Sequence, residues 1–119
     1  MLMKRIKPDF EFGDERGKLI QLIHDGYKQV NVITSKAGFQ RGGHYHKLNN
    51  EAFFVVFGKF EVVLRKDNQT ERYTFSSGEM FCIPPHVAHD FIYLEDTTLV
   101  SMYDKGVEIS DTEKEIYKG

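Results

Sequence analysis

The chain of 119 residues has a single cysteine, no surplus of positive charge and no long uninterrupted apolar run. The lone Cys82 excludes an internal disulfide, and its neighbours Phe81 and Ile83 mark it as a packed thiol rather than a nucleophile. Lys and Arg number 16 against 18 Asp and Glu, a net charge of −2 that offers no basic field to nucleic acid. No segment approaches the roughly 20 apolar residues of a membrane-spanning helix. The opening MLMKRIKPDFEFGDERG also lacks the apolar stretch of a signal peptide. These absences predict a cytoplasmic protein with neither nucleic acid nor membrane as partner.

What is present is β-forming material. Hydrophobic residues make up 40% of the chain and aromatics 13%, dominated by Phe, Tyr, Val and Ile, types that suit a pleated, half-buried surface. Eight short runs read as strands: residues 18–24, 29–35, 51–57, 59–65, 71–75, 79–84, 88–94 and 97–103. Turn formers separate them, among them HDG, KAG, KDNQ, SSG and PPH. Only the tail, SDTEKEIYKG, departs from this pattern. Ser110 followed by Glu113 has capping-box spacing and predicts a short C-terminal helix. Residues 1–119 therefore read as one all-β domain, a closed sandwich or barrel of the jelly-roll kind.

Strand geometry singles out one stretch, GFQRGGHYHKLNNEAFFVVFG. Side chains two apart in an extended segment share a face, so His44 and His46 point one way and Tyr45 the other. Glu51 heads the next strand, on the same face as Phe53, Val55 and Phe57, an apolar row that belongs inside the barrel. A carboxylate there must be paired or lie at the mouth, because an unpartnered buried carboxylate is costly. Further on, HVAHDF supplies His89, with Phe91 and Tyr93 on its side of the strand, and His86 in the preceding turn. Three imidazoles and a carboxylate are donor types that zinc, manganese, iron or nickel accept while leaving room for water or substrate.

The spacing of these residues resembles the cupin superfamily. Gly38, His44, His46, Glu51 and Gly58 match the first cupin motif (residues 38–58) at every fixed position. Gly78, Pro84 and His89 resemble the second (residues 78–93), with His86 where a glycine is usual and Tyr93 where asparagine is usual. The resemblance implies a double-stranded β-helix barrel, frequently dimeric, with His44, His46, Glu51 and His89 as the metal-ligand set. Around the motifs, RGGHYHK is similar to a signature of nucleotide-sugar 3,4-ketoisomerases and to part of the dTDP-4-dehydrorhamnose 3,5-epimerases. The stretch VNVITSKAGFQRGGHYHKLNNEAFFVVFGKFEV resembles the C-terminal cupin domain of capsular polysaccharide reductase-epimerases, which carries a zinc-type site. All three groups act on keto sugars linked to a nucleotide, so this chain would be a free-standing relative.

Such a reaction removes a proton alpha to a ketone, stabilises an enolate and returns a proton elsewhere. In the epimerases the residue matching His44 is the base. Tyr93 and Tyr103 are candidates for the returning acid, or else core aromatics. Arg41 and Lys47 flank the histidine pair and could hold a diphosphate or polarise the ketone, unless they are merely solvated, and His86 is a third candidate for binding substrate. The site has two versions: a divalent metal bound by the four ligands, or no metal, with His44 and His46 themselves acting as acid and base. The rivals are a metal-dependent dioxygenase and a non-catalytic sugar- or ligand-binding cupin. Both faces of residues 51–57 are apolar, which predicts a second subunit against the outer face and hence a homodimer. The N-terminal KRIKPDFEF, apolar on alternate positions, would be a candidate to cross to that partner.

Overall fold

A computed structural model describes residues 1–110 and 113–119. Its strands, in chain order, are β1 (Lys4–Ile6), β2 (Phe10–Asp14), β3 (Gly17–Gln21), β4 (Gln29–Ser35), β5 (Gln40–Tyr45) and β6 (Glu51–Phe57), followed by β7 (Lys59–Lys66), β8 (Gln69–Ser76), β9 (Met80–Ile83), β10 (Ala88–Tyr93), β11 (Thr97–Tyr103) and β12 (Tyr117–Lys118). Two five-stranded sheets, ordered β1-β9-β6-β11-β4 and β12-β5-β10-β7-β8, face one another, and β2 pairs with β3 as a separate hairpin. Every pairing is antiparallel. No helix among the described residues is long and apolar enough to cross a membrane.

Alternation along the strands decides what lies between the sheets. Phe53, Val55, Phe81, Ile83 and Leu99 from the first sheet meet Phe60, Val62, Leu64, Phe75 and Phe91 from the second, and all are buried. Aromatic rings hold the β7–β8–β9 side together: Phe75 stacks on Phe81 at 4.0 Å, and Phe60 on Phe91 at 5.0 Å. Such pairs add about 0.5–1.5 kcal/mol each beyond the area they bury. Because these rings fill one side of the sandwich, the opposite side, between β4, β11, β5 and β10, is left open as a cavity.

Three expectations need correcting. Phe57 is 61% exposed instead of sharing the inner row of Phe53 and Val55. The pairing of β6 with β11 shifts register between Thr98 and Leu99, so Phe57 lies opposite outward-facing Thr98 and turns out with it. The outer face of β6 is also covered differently. Ala52 and Phe54 are buried under Ile6, Ile20, Leu22, Ile23 and Tyr27 of the same chain, so these two members of the outer row are covered without a second subunit, and Val56 is 50% exposed. Finally, no described residue of the tail is helical. Ser110 Oγ does accept the Glu113 N–H at 3.1 Å, as a capping residue would, although residues 111 and 112 of the expected helix lie outside the described residues. Beyond that turn the chain extends, and β12 pairs with β5. The extended path allows the Glu115 carboxylate to reach three backbone amides of another loop, contacts that a helical turn here would forfeit.

Candidate active site

The cavity measures about 400 Å³ and is lined by Ile33, Arg41, Gly42, His44, Glu51, Phe53, His89, Phe91, Tyr93 and Tyr103. Five strands contribute to it. β5 and β10 run side by side with His44 directly opposite His89, and the strands are close because residue 42 is glycine. A Cβ on Gly42 would collide with the His89 carbonyl oxygen, and its φ of +124° is one that side chains rarely adopt. Glu51 enters from β6, and Ser101 and Tyr103 enter from β11 beside it.

His44, His46, Glu51 and His89 each present one donor atom within a span of 4.8 Å. Main-chain groups set the direction of each ring. His46 Nδ1–H donates to the Glu115 carbonyl at 2.6 Å, His89 Nδ1–H donates to the Val87 carbonyl at 3.1 Å, and His44 hydrogen-bonds the Gly42 backbone. A carbonyl only accepts, so Nδ1 of His46 and of His89 carries the proton and Nε2 is turned inward. Inside, His46 Nε2 lies 3.2 Å from Glu51 Oε1, His89 Nε2 lies 3.5 Å from the same oxygen, and the Nε2 atoms of His44 and His89 are 3.1 Å apart. Two nitrogen lone pairs at that distance repel unless a proton or a cation lies between them. The donor set therefore fits a divalent ion, and equally fits one or two shared protons.

The electrostatics follow from these contacts. Burial alone would raise the Glu51 pKa, but hydrogen bonds from His46, His89 and Ser101 outweigh it and hold the carboxyl at about 2. Ser101 Oγ donates to Glu51 Oε2 at 2.7 Å, which leaves Oε1 for the imidazoles. Burial pulls His46 down, but the adjacent Glu51 carboxylate and the Glu115 carbonyl more than reverse this, so its pKa is raised. With both nitrogens donating, His46 is an imidazolium paired with Glu51. His44 moves the other way: burial, and then the His89 ring nearby, lower its pKa, which favours the neutral imidazole. Tyr93 and Tyr103 are both pushed up, chiefly by burial, so their hydroxyls stay protonated and are able to donate.

The remaining sequence candidates divide. Arg41 lines the cavity, its guanidinium held by Ser35 Oγ at 2.8 Å and the Thr34 carbonyl at 3.2 Å. Lys47 and His86 do not line it. Past His46 the chain bends away from the interior, and Lys47 Nζ sits 4.2 Å above the Tyr117 ring. His86 is exposed on a different surface with Tyr45, Arg65 and Lys66, and its φ is +68°. Its N–H reaches the His46 carbonyl at 2.6 Å, which turns the side chain outward. The sequence reading missed Ser101, although a serine between inward-facing Leu99 and Tyr103 is a signal in its own right. It also missed Glu115, which no local pattern marks.

Two antiparallel sheets enclosing a cavity with three converging imidazoles and one carboxylate define a cupin-type jelly roll. Residues 12–113 match the family model for the polysaccharide biosynthesis C-terminal domain, and the chain belongs to that family. No curated protein matches it. Among solved structures it is similar to a 3,4-ketoisomerase from Helicobacter canadensis, with 20% identity, TM-score 0.82 and coverage of 100% of this chain and 92% of the other. It is also similar to dTDP-4-dehydrorhamnose 3,5-epimerase from Sulfolobus tokodaii, with 25% identity, TM-score 0.73 and coverage of 87% and 70%. The capsular polysaccharide assembling protein CapF from Staphylococcus aureus shares 26% identity at TM-score 0.68, over 92% of this chain and 33% of its own.

Proposed function

We propose that the chain is an isomerase or epimerase that acts on a nucleotide-linked 4-keto sugar by proton transfer alpha to the ketone. One observation carries this reading. The cavity wall holds a neutral imidazole, His44, beside two tyrosine hydroxyls kept protonated and one guanidinium. His44 Nε2 takes the alpha proton, and His89, 3.1 Å away, shares the resulting charge. Arg41 faces the developing enolate or the diphosphate, and a hydroxyl of Tyr93 or Tyr103 returns the proton. The names of the Helicobacter and Sulfolobus neighbours give this chemistry a precedent on the same fold. Residues 1–119 act as one such domain.

The nucleotide has a place to lie. A groove of about 650 Å³ shares Arg41 with the cavity and carries Lys36, Phe39, Phe57 and Thr98. A sugar in the cavity would put its diphosphate at Arg41 and its base toward the two exposed phenylalanines. This arrangement replaces Lys47 and His86 with Lys36 as the second cation. A cationic rim of this kind argues against a dioxygenase acting on an apolar substrate.

A second reading of the centre rests on the converging Nε2 atoms. His44, His46, Glu51 and His89 would hold a divalent ion, which when bound would polarise the ketone oxygen. In that state His44 would have no free lone pair, a bound water would take the alpha proton, and a hydroxyl of Tyr93 or Tyr103 would return one. Metal analysis of protein purified without added metal, together with turnover in chelator, separates the two. Full activity at near-zero metal content supports His44 as base, and loss of activity in chelator supports the ion.

The functional test is turnover of a keto-sugar nucleotide in deuterium oxide. Deuterium should appear at the carbon beside the ketone, and His44→Asn should cut the rate by about 10²–10⁴-fold while binding stays within a few-fold. If binding occurs but no candidate is ever turned over, the ligand-binding cupin is the better description. A homodimer is part of the proposal, formed through the exposed Val30 and Val32 on the outer face of β4. Light scattering should give twice 13.9 kDa, and Val32→Lys should halve the mass.

A further inference from the structure

Outside the cavity, the structure buries a second carboxylate that no step above uses. Glu115 is 1% exposed and lies beyond residues 12–113, which match the family. Its carboxylate accepts the backbone N–H of Lys47 at 2.7 Å, of Leu48 at 2.6 Å and of Asn49 at 2.8 Å, and Asn49 Nδ2–H at 3.1 Å. Three successive amides aimed at one point form an anion nest, and here the chain fills it with its own side chain. The loop so gathered joins His46 to Glu51. The backbone carbonyl of the same Glu115 accepts His46 Nδ1–H at 2.6 Å, so one residue grips both the loop behind the histidine and the ring itself.

We infer that Glu115 is a positioning residue of the active site: by filling the nest with its carboxylate it brings its carbonyl onto His46 and fixes which imidazole nitrogen faces Glu51. The grip is braced from both sides. Asn49 Oδ1 accepts the N–H of Lys105 at 2.9 Å and of Gly106 at 3.0 Å, and Glu115 N–H donates to the Val107 carbonyl at 2.6 Å. Further along, Tyr117 pairs with Tyr45, and Gly119 N–H donates to the Gly43 carbonyl at 2.8 Å. The last residues thus form a strap across the strand that carries His44 and the loop that carries His46. Without the carboxylate, the nest amides have no acceptor and the strap loses its main anchor at the point nearest the ring. His46 Nδ1 would then be free to choose another partner, and Nε2 would no longer be held toward Glu51 at 3.2 Å. Ring packing, edge-on against Tyr103 with centroids 5.0 Å apart and against His44 at 5.3 Å, constrains its plane but not which nitrogen faces Glu51.

The inference concerns the site of the proposed isomerase, yet its first readout needs no turnover. In wild type labelled with ¹⁵N at histidine, the His46 Nδ1–H should give a slowly exchanging, hydrogen-bonded imidazole signal. Glu115→Ala should lose that signal while the spectrum of the β core persists, and formate, a carboxylate small enough for the nest, should restore it. Where a substrate is in hand, kcat should fall by about 10–100-fold with KM within about two-fold, the range seen when a group behind an active-site imidazole is removed. Formate should raise kcat again. Should Glu115→Ala fail to fold, Glu115→Gln keeps one acceptor oxygen in the nest and should show the same signal weakened. A folded variant that keeps the Nδ1–H signal, or whose only change is a lower melting temperature that formate does not relieve, overturns the inference. If no keto sugar is ever turned over but the signal behaves as described, the positioning role stands and the reaction assigned to the site fails.

Discussion

Replacing Glu51 by alanine tests the electrostatic logic of the site without a substrate. The Glu51 side chain is 4% exposed and takes hydrogen bonds from Ser101 Oγ at 2.7 Å and His46 Nε2 at 3.2 Å. Removing it leaves the His46 imidazolium buried without a counterion, a change that costs about 3–5 kcal/mol. For a chain of this length about 1 kcal/mol corresponds to about 4 °C in Tm, so metal-free protein in chelator should melt about 12–20 °C lower. The pH dependence carries more information. Glu51 sits below its ordinary 4.5, so its contribution is complete above that pH and is lost as pH falls toward about 2. His46 sits above its ordinary 6.5, so its contribution is complete below 6.5 and is lost as pH rises through the raised value. The stability difference between wild type and Glu51→Ala should therefore be greatest between pH 4.5 and 6.5 and shrink at higher pH. Urea titrations at pH 5.5, 7 and 9 measure it. A difference below about 1 kcal/mol, or one that does not change with pH, refutes the buried ion pair.

Two further predictions concern the backbone. Gly42→Ala should force β5 away from β10, since the new Cβ would also lie 2.8 Å from the Asp90 Cα; turnover should fall more than about ten-fold and Tm by several degrees. Gly43→Ala, whose Cβ would meet nothing nearer than Asp90 Oδ1 at 3.6 Å, is the control and should cost only about 1 kcal/mol for its φ of +74°. His86→Gly should raise stability by about 1 kcal/mol, because a residue held at φ +68° gains from losing its Cβ and its side chain lines no part of the cavity. Thermal melts check all three, and an unchanged or lower Tm for His86→Gly would show that its side chain has a partner that the fold needs.

The sequence showed most where one physical rule acts alone. Alternation located β6 and β11 to the residue, because both have turn formers at each end and are rich in β-branched and aromatic residues between them. The same period put His44 and His46 on one face, the cupin resemblance implied that Glu51 and His89 join them, and the four donor atoms do lie within 4.8 Å of one another. Legibility failed where a distant contact overrides local pattern. The bulge that turns Phe57 outward belongs to the pairing of β6 with β11, and neither strand announces it alone. Residues 40–45 are rich in glycine and polar side chains and fall outside the eight runs read as strands, yet two neighbours, β10 and β12, hold them as a strand. In the tail, Ser110 and Glu113 do meet as a capping box would, but Glu115 is drawn to a loop more than sixty residues earlier and none of residues 113–119 is helical. Lys47 and His86 were chosen for closeness in sequence to the histidines, and closeness in sequence does not decide which side of a strand end faces the cavity.

The account depends most on a neutral, cavity-facing His44 that moves a proton beside a ketone. Incubating wild type and His44→Asn with a 4-keto-6-deoxy sugar nucleotide in deuterium oxide, and following the carbons beside the carbonyl by NMR, tests this directly. The predicted result is deuterium entering at one of those carbons with wild type and no entry above background with the variant, while both proteins still bind the nucleotide. Deuterium entering equally with both proteins, or with neither despite binding, would contradict it.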